Sequence, residues 1–301
     1  MPGGSDALAP APTEPIAKPQ GGGPQGSGPQ GSGPWRDLRA RVISAAVLVP
    51  LALLCLWYGA LPWALLIGAG TIGLAIEWTQ LCGYGVVSLP ALALVAMTLA
   101  GWGLAAAGWP ALALVPVVLG GPAVWCVARD RGKSALSLAA GVPYIGMACV
   151  SLLWLRADAV TGLADVLLLL LIVWASDIGA YLVGRLVGGP RLAPVISPGK
   201  TWSGAAGGLL AAALVGGLAA LGMGQVGLFW RIVLFATGLG IVAQAGDLME
   251  SAIKRRFGVK DSGWLIPGHG GLFDRLDAVL VAAPVAAALA LALGRGVVLA
   301  Q

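Results

Sequence analysis

The acidic residues with the strongest chemical potential lie in apolar surroundings. Asp177 sits inside LLLLLIVWASDIGAYLVG, Asp247 and Glu250 close IVAQAGDLMES, and Asp274 and Asp277 open GGLFDRLDAVLV. An ionised carboxylate at membrane depth costs on the order of a few kcal/mol unless it is paired or bound to a metal. Asp247 and Glu250 are spaced i, i+3, as are Asp274 and Asp277, so each pair occupies one helix face. Two such faces brought together would gather several carboxylate oxygens at one point. A carboxylate set with no companion Cys suits a hard cation such as Mg²⁺ or Mn²⁺, and Mg²⁺ commonly shares its shell with phosphates. The plainer reading is that these are helix-end residues at the membrane interface, paired with nearby Lys or Arg. Asp177 fits that reading least, having apolar residues for a turn or more on each side. Glu77, near the end of its apolar run, is read as an interfacial residue.

A cationic, glycine-rich segment lies between the two acidic pairs: SAIKRRFGVKDSGWLIPGHGGLFDRLD. Lys254, Arg255, Arg256 and Lys260 are interleaved with glycines, among them Gly270 and Gly271, so backbone N–H groups can approach an anion closely. The helix that follows adds an anion-attracting N-terminus. Lipid headgroup binding is the bland alternative for such a run. His269, the only histidine of the chain, is read as a phosphate contact or proton donor. A second loop, GGPRLAPVISPGKTWSGAAGG, offers Ser197, Lys200 and Thr201 just before a helix. It lacks the spacing of a P-loop, and its chemistry suits a phosphate.

The elements that must position these residues follow from composition. Apolar residues make up 58% of the chain and charged residues 10%, with a mean hydropathy of +0.89. Soluble domains carry about 25% charged residues, so a water-soluble globule is excluded. The expected fold is all-α: a polytopic integral membrane protein of about nine transmembrane helices with cytoplasmic catalytic loops. The spans are expected at 42–58, 61–82, 86–107, 110–128, 135–155, 163–186, 203–222, 226–250 and 275–297. Residues 1–34, rich in Gly, Pro, Gln and Ser, read as a disordered tail. Residues 35–160 form an N-terminal transmembrane part, and residues 161–301 a C-terminal transmembrane catalytic region. With the N-terminus cytoplasmic, every basic residue except Arg156, Arg231 and Arg295 falls on the cytoplasmic side, as the positive-inside rule requires. Cys55, Cys82, Cys126 and Cys149 show no metal-binding spacing and read as packed or lipid-facing thiols.

The segment from Ser251 to Asp277 resembles the signature of the phosphatidate cytidylyltransferase (CDP-diglyceride synthase) family. The matching positions are Ser251, Lys254, Arg255, Lys260, Asp261, Gly263, Ile266, Pro267, His269, Gly270, Gly271, Asp274, Arg275 and Asp277. Upstream, Gly246, Asp247 and Glu250 resemble the family's GDxxES. Ser176 to Tyr181 resembles its SDTGAY, and LAPVISPGKTW its LAPxISPKKTW. Three positions depart from the pattern: Ile178 stands for Thr, Gly199 for Lys and Ser203 for Glu, which weakens the case for the second loop in catalysis.

The resemblance implies that CTP and phosphatidic acid give CDP-diacylglycerol and pyrophosphate, with Mg²⁺ and a second cation such as K⁺. On that reading Asp247 and Asp274 hold the metal, with Asp277 and Glu250 as further ligands. Lys260, Arg275 and His269 contact the triphosphate, and Lys254 and Arg255 the lipid phosphate. Ser197, Lys200 and Thr201 serve one or the other, and Asp177 pairs with Lys200 or joins the metal. Acyl tails would lie in a cleft open sideways to the bilayer. The expected setting is the plasma membrane, with membrane lipids around the chain, a homodimer as an option and no nucleic acid partner. An ion-coupled transporter is the alternative from another class. It calls for an internal repeat, whereas the charged motifs crowd into residues 177–277. A cytidylyltransferase for another lipid, a CTP-dependent lipid kinase and a lipid-binding scaffold also remain open.

Overall fold

In the computed structural model, residues 34–131, 134–263, 265 and 270–293 are described. In a bilayer no water is available to the backbone, so apolar runs of this length satisfy their N–H and C=O groups as helices. Among the described residues nine α-helices result: α1 Pro34–Tyr58, α2 Ala60–Leu81, α3 Leu89–Ala106, α4 Pro110–Ala128, α5 Ala135–Arg156, α6 Gly162–Val187, α7 Trp202–Gly222, α8 Phe229–Arg256 and α9 Phe273–Leu293. Eight of them, α2 to α9, are long and apolar enough to cross a membrane. The apolar part of α1, Ala46–Tyr58, is shorter. Eight of the expected spans fall on α2 to α9 and the first, 42–58, on α1. The first 33 residues of the tail and residues 294–301 lie outside the described residues.

Two differences matter for the site. First, α8 runs on to Arg256, so Asp247 and Glu250 lie within a helix and not at its end. Second, the loop after α6 holds a small antiparallel hairpin, β1 Arg191–Ala193 and β2 Ser197–Thr201, with Arg191 opposite Thr201. It turns the chain straight into α7, whose N-terminus Thr201 caps by accepting a hydrogen bond from Gly204 N at 3.0 Å.

Helix α6 packs along α7, α7 along α8 and α8 along α9, while α9 also meets α5 and α2. The α6–α7 crossing is made of small residues. A Cβ on Gly208 would lie 2.7 Å from the Ser176 carbonyl oxygen and 2.6 Å from Gln244 Nε2, and one on Gly204 2.7 Å from the Ala180 carbonyl oxygen. Such contacts let membrane helices approach backbone to backbone. Gln244 of α8 donates to Ser176 Oγ at 3.2 Å and to the Ala205 carbonyl at 3.1 Å, tying all three helices together. One core runs between α5, α6, α8 and α9, and a second gathers α2, α3, α4 and α5 around Phe273 of α9.

Candidate active site

The acidic residues converge at one end of the bundle. Asp247, Glu250 and Asp277 each offer a carboxylate oxygen, all within 4.8 Å of one another. Asp247 and Glu250 come from successive turns of α8, and Asp277 from the second turn of α9. The two helices come close because Gly246 has no side chain: a Cβ there would lie 3.1 Å from the Asp277 carbonyl oxygen. Glu250 is buried to 1% exposure.

Asp274 does not belong to that group of three. It lies in the first turn of α9 and adjoins the group through Lys254, whose Nζ is 2.8 Å from both Glu250 Oε1 and Asp274 Oδ1. The Asp274 carboxylate also accepts hydrogen bonds from Ser262 N at 3.1 Å and Gly271 N at 3.2 Å. Lys254 is thereby engaged inside the acidic cluster. Lys200, at the end of the hairpin, reaches Asp247 Oδ2 at 2.6 Å. The sequence reading pairs Lys200 with Asp177 or sends Asp177 to the metal; the ion pair of Lys200 is instead with Asp247, and Asp177 stands on the wall of the same cleft.

That cleft has a volume of about 590 Å³. Asp177, Tyr181 and Arg185 of α6, Ser197, Gly199, Lys200 and Thr201 of the hairpin, and Gln244 and Asp247 of α8 line it. Arg185 Nη1 donates to Tyr181 Oη at 2.7 Å. A Cβ at Gly199 would meet nothing within 4 Å, so the position that departs from the family's Lys has room for a side chain beside the cleft. Ile178, the second departure, is exposed on α6. Ser203, the third, donates to the Gly188 carbonyl and holds the loop start against α7.

Arg255 donates to the Ile196 carbonyl at 3.4 Å, which sets the end of α8 beside the hairpin. Lys260 and Arg275 are exposed at the same end of the molecule. Gly270 has φ +84°, a backbone state that favours glycine, and Gly271 after it is buried. His269 lies outside the described residues.

Glu77 corrects the sequence reading. Expected at the interface, it is 1% exposed and accepts hydrogen bonds from Leu272 N at 2.8 Å and Phe273 N at 2.7 Å. The sequence signal was there, an acidic residue in an otherwise apolar helix, but its partners lie some two hundred positions downstream. Gln244 carries little local signal in the sequence, because it is an uncharged amide inside an apolar run.

A membrane-spanning bundle that gathers carboxylates and lysines beside a cleft is a scaffold suited to phosphate chemistry with a hard cation. Comparison with known proteins gives the specific class. Residues 39–293 match the family described as the Cytidylyltransferase family, and the chain belongs to it; it is a nucleotidyltransferase embedded in a membrane. Proteins named phosphatidate cytidylyltransferase from Brucella suis and Brucella abortus are each 38% identical to it over 247 residues, covering 82% of this chain and 91% of theirs. One of the same name from Staphylococcus haemolyticus is 43% identical over 145 residues, 48% of this chain and 54% of its own.

Proposed function

We propose that this protein transfers the CMP group of CTP to phosphatidate, giving CDP-diacylglycerol and pyrophosphate. The observation that carries the reading is the meeting of Asp247, Glu250 and Asp277 beside a cleft lined by Lys200 and Arg185, in a chain of the Cytidylyltransferase family. A phosphate oxygen of the lipid forms a bond to the α-phosphorus of CTP, the bond from that phosphorus to the bridging oxygen breaks, and pyrophosphate leaves with the electron pair. Phosphatidate is already ionised near neutral pH, so no general base is required.

The task of the protein is to bring two polyanions together and keep water out. Lys200, Arg185 and Arg255 would draw the lipid phosphate to the hairpin side of the cleft, with Ser197 and Thr201 beside them. Lys260, Arg275 and His269 would take the triphosphate, with the backbone at Gly270 and Gly271 free to approach it. Lys254 and Asp274 would hold the loop before α9 in register. Asp177 would orient Lys200 from across the cleft.

The donor set fits a hard divalent ion: the oxygens come from three carboxylates, and no thiol or imidazole is among them. Asp247, Glu250 and Asp277 would hold Mg²⁺, which when bound withdraws charge from the phosphate oxygens. A second cation such as K⁺ belongs to the same proposal. So do a plasma-membrane setting, a cytoplasmic face for the hairpin and the α8–α9 loop, and a homodimer. The basic residues at that face, and Arg156 at the other end of the bundle, support the orientation.

The test is to supply purified protein with labelled CTP, Mg²⁺ and one of several lipid phosphates. Label should move into the lipid phase with phosphatidate, pyrophosphate should be released, and EDTA should stop both. Pyrophosphate release without a lipid requirement, or equal use of an unrelated lipid phosphate, would remove the acceptor assignment.

A further inference from the structure

Between α8 and α9, the described residues Ser262 and Gly271 to Phe273 are held by two carboxyl groups. Asp274 takes Ser262 N and Gly271 N. Glu77, from α2, takes Leu272 N and Phe273 N, and Ser262 Oγ donates to it at 3.4 Å. The first N–H groups of a helix have no acceptor within it, so Glu77 supplies to α9 what a cap residue of its own would.

The fit around the Glu77 carboxyl is close. A Cβ on Gly263 would lie 2.8 Å from Glu77 Oε1, and one on Gly271 3.0 Å from Glu77 Oε2. Two glycines of the signature segment are therefore shaped around a residue of the second helix. The neighbouring side chains lock the same junction. Trp78 and Phe273 rings stand 5.5 Å apart with Tyr144 against both, and Trp78 Nε1 donates to the Ser137 carbonyl at 3.0 Å.

We propose that Glu77 is a positioning residue for nucleotidyl transfer. By fixing where α9 begins, it sets the register of Asp277 against Asp247 and Glu250, and of Asp274 against Lys254. The proposal rests on the reading of the acidic cluster as the seat of a divalent ion. On this proposal Glu77 acts through Ser262, Leu272 and Phe273 and not on the reacting atoms.

Glu77→Gln keeps the side-chain volume but turns an amide donor toward a backbone N–H. The variant should remain folded in detergent with a lower melting temperature, since one buried N–H loses its acceptor. Its half-saturating Mg²⁺ concentration should rise about tenfold, the scale of one lost charge-assisted hydrogen bond. Mn²⁺ binding followed by electron paramagnetic resonance should weaken in parallel, a readout that needs no turnover. Ser262→Ala in the Glu77→Gln background should add little to either effect, because the two residues act on one junction.

A Glu77→Gln protein that binds Mn²⁺ and saturates with Mg²⁺ like the unchanged chain overturns the proposal. So does one whose only defect is a lower melting temperature. If the unchanged protein binds Mn²⁺ yet transfers nothing to phosphatidate, the acceptor reading fails while the Glu77 effect on Mn²⁺ still stands or falls alone.

Discussion

Lys254 and Lys200 pair with carboxylates in different surroundings, and the difference decides what each is worth. The side chains of Lys254 and Glu250 are 14% and 2% exposed, those of Lys200 and Asp247 26% and 32%. Removing one partner of a buried ion pair strands a charge and costs on the order of 3 kcal/mol or more, whereas screened pairs are worth about 1 kcal/mol or less. Lys254→Met should therefore lower the melting temperature in detergent by clearly more than Lys200→Met, which should act mainly on turnover. Asp247→Asn and Asp277→Asn should each reduce kcat by about 100-fold or more, the scale of a lost electrostatic contact to the reacting phosphate. Both should keep their expression level, and titrating activity with Mg²⁺ will show the defect as weaker metal activation. The sequence exposed the acidic pairs because carboxylates stand out among leucines. It did not reveal that Asp277, and not Asp274, faces Asp247. That depends on the rotation of α9 against α8, set by the close approach at Gly246.

Among the elements, α7 shows how a helix with no titratable group contributes to the site. Its glycine face brings Ser176, and with it Asp177, up to α8. Gly208→Ala would force a Cβ against the Ser176 carbonyl and Gln244. Overpacking of this kind costs about 1–3 kcal/mol, and the displaced α6 would widen the cleft. The expected result is a lower melting temperature and a loss of transfer that is not restored by more Mg²⁺. Gly70→Ala, where a Cβ meets nothing within 4 Å, is the matched control and should change neither. The helices were legible because each is an apolar run bounded by Gly, Pro or charge. The hairpin at 191–201 was not, because its two prolines and its lack of alternation suppress a strand signal. Only its fold against α8, through Arg255 and Ile196, makes it visible.

For the whole molecule, the orientation can be tested directly. Gly199 and Lys260 stand on the same end of the bundle. Each changed to Cys, in a Cys126→Ala background, should react with a membrane-impermeant maleimide only from the cytoplasmic face. Native Cys82 should stay silent, since burial pushes its thiol up to about 12 and leaves little thiolate near neutral pH. Labelling from the outer face would invert the topology. The helical architecture was readable from hydropathy. The link from α2 to the start of α9 was not, because Glu77 and Phe273 are 196 positions apart and nothing local announces a partner at that range.

Beside the cleft, α6 turns Ile178, Tyr181 and Leu182 outward, at 59%, 61% and 50% exposure. An amphiphile could slide in along that greasy rim without ever leaving its leaflet, and the product could leave the same way. Saturation should then follow the acceptor's mole fraction in the surface and not its bulk molarity, so diluting mixed micelles with inert detergent at constant total lipid should slow the enzyme.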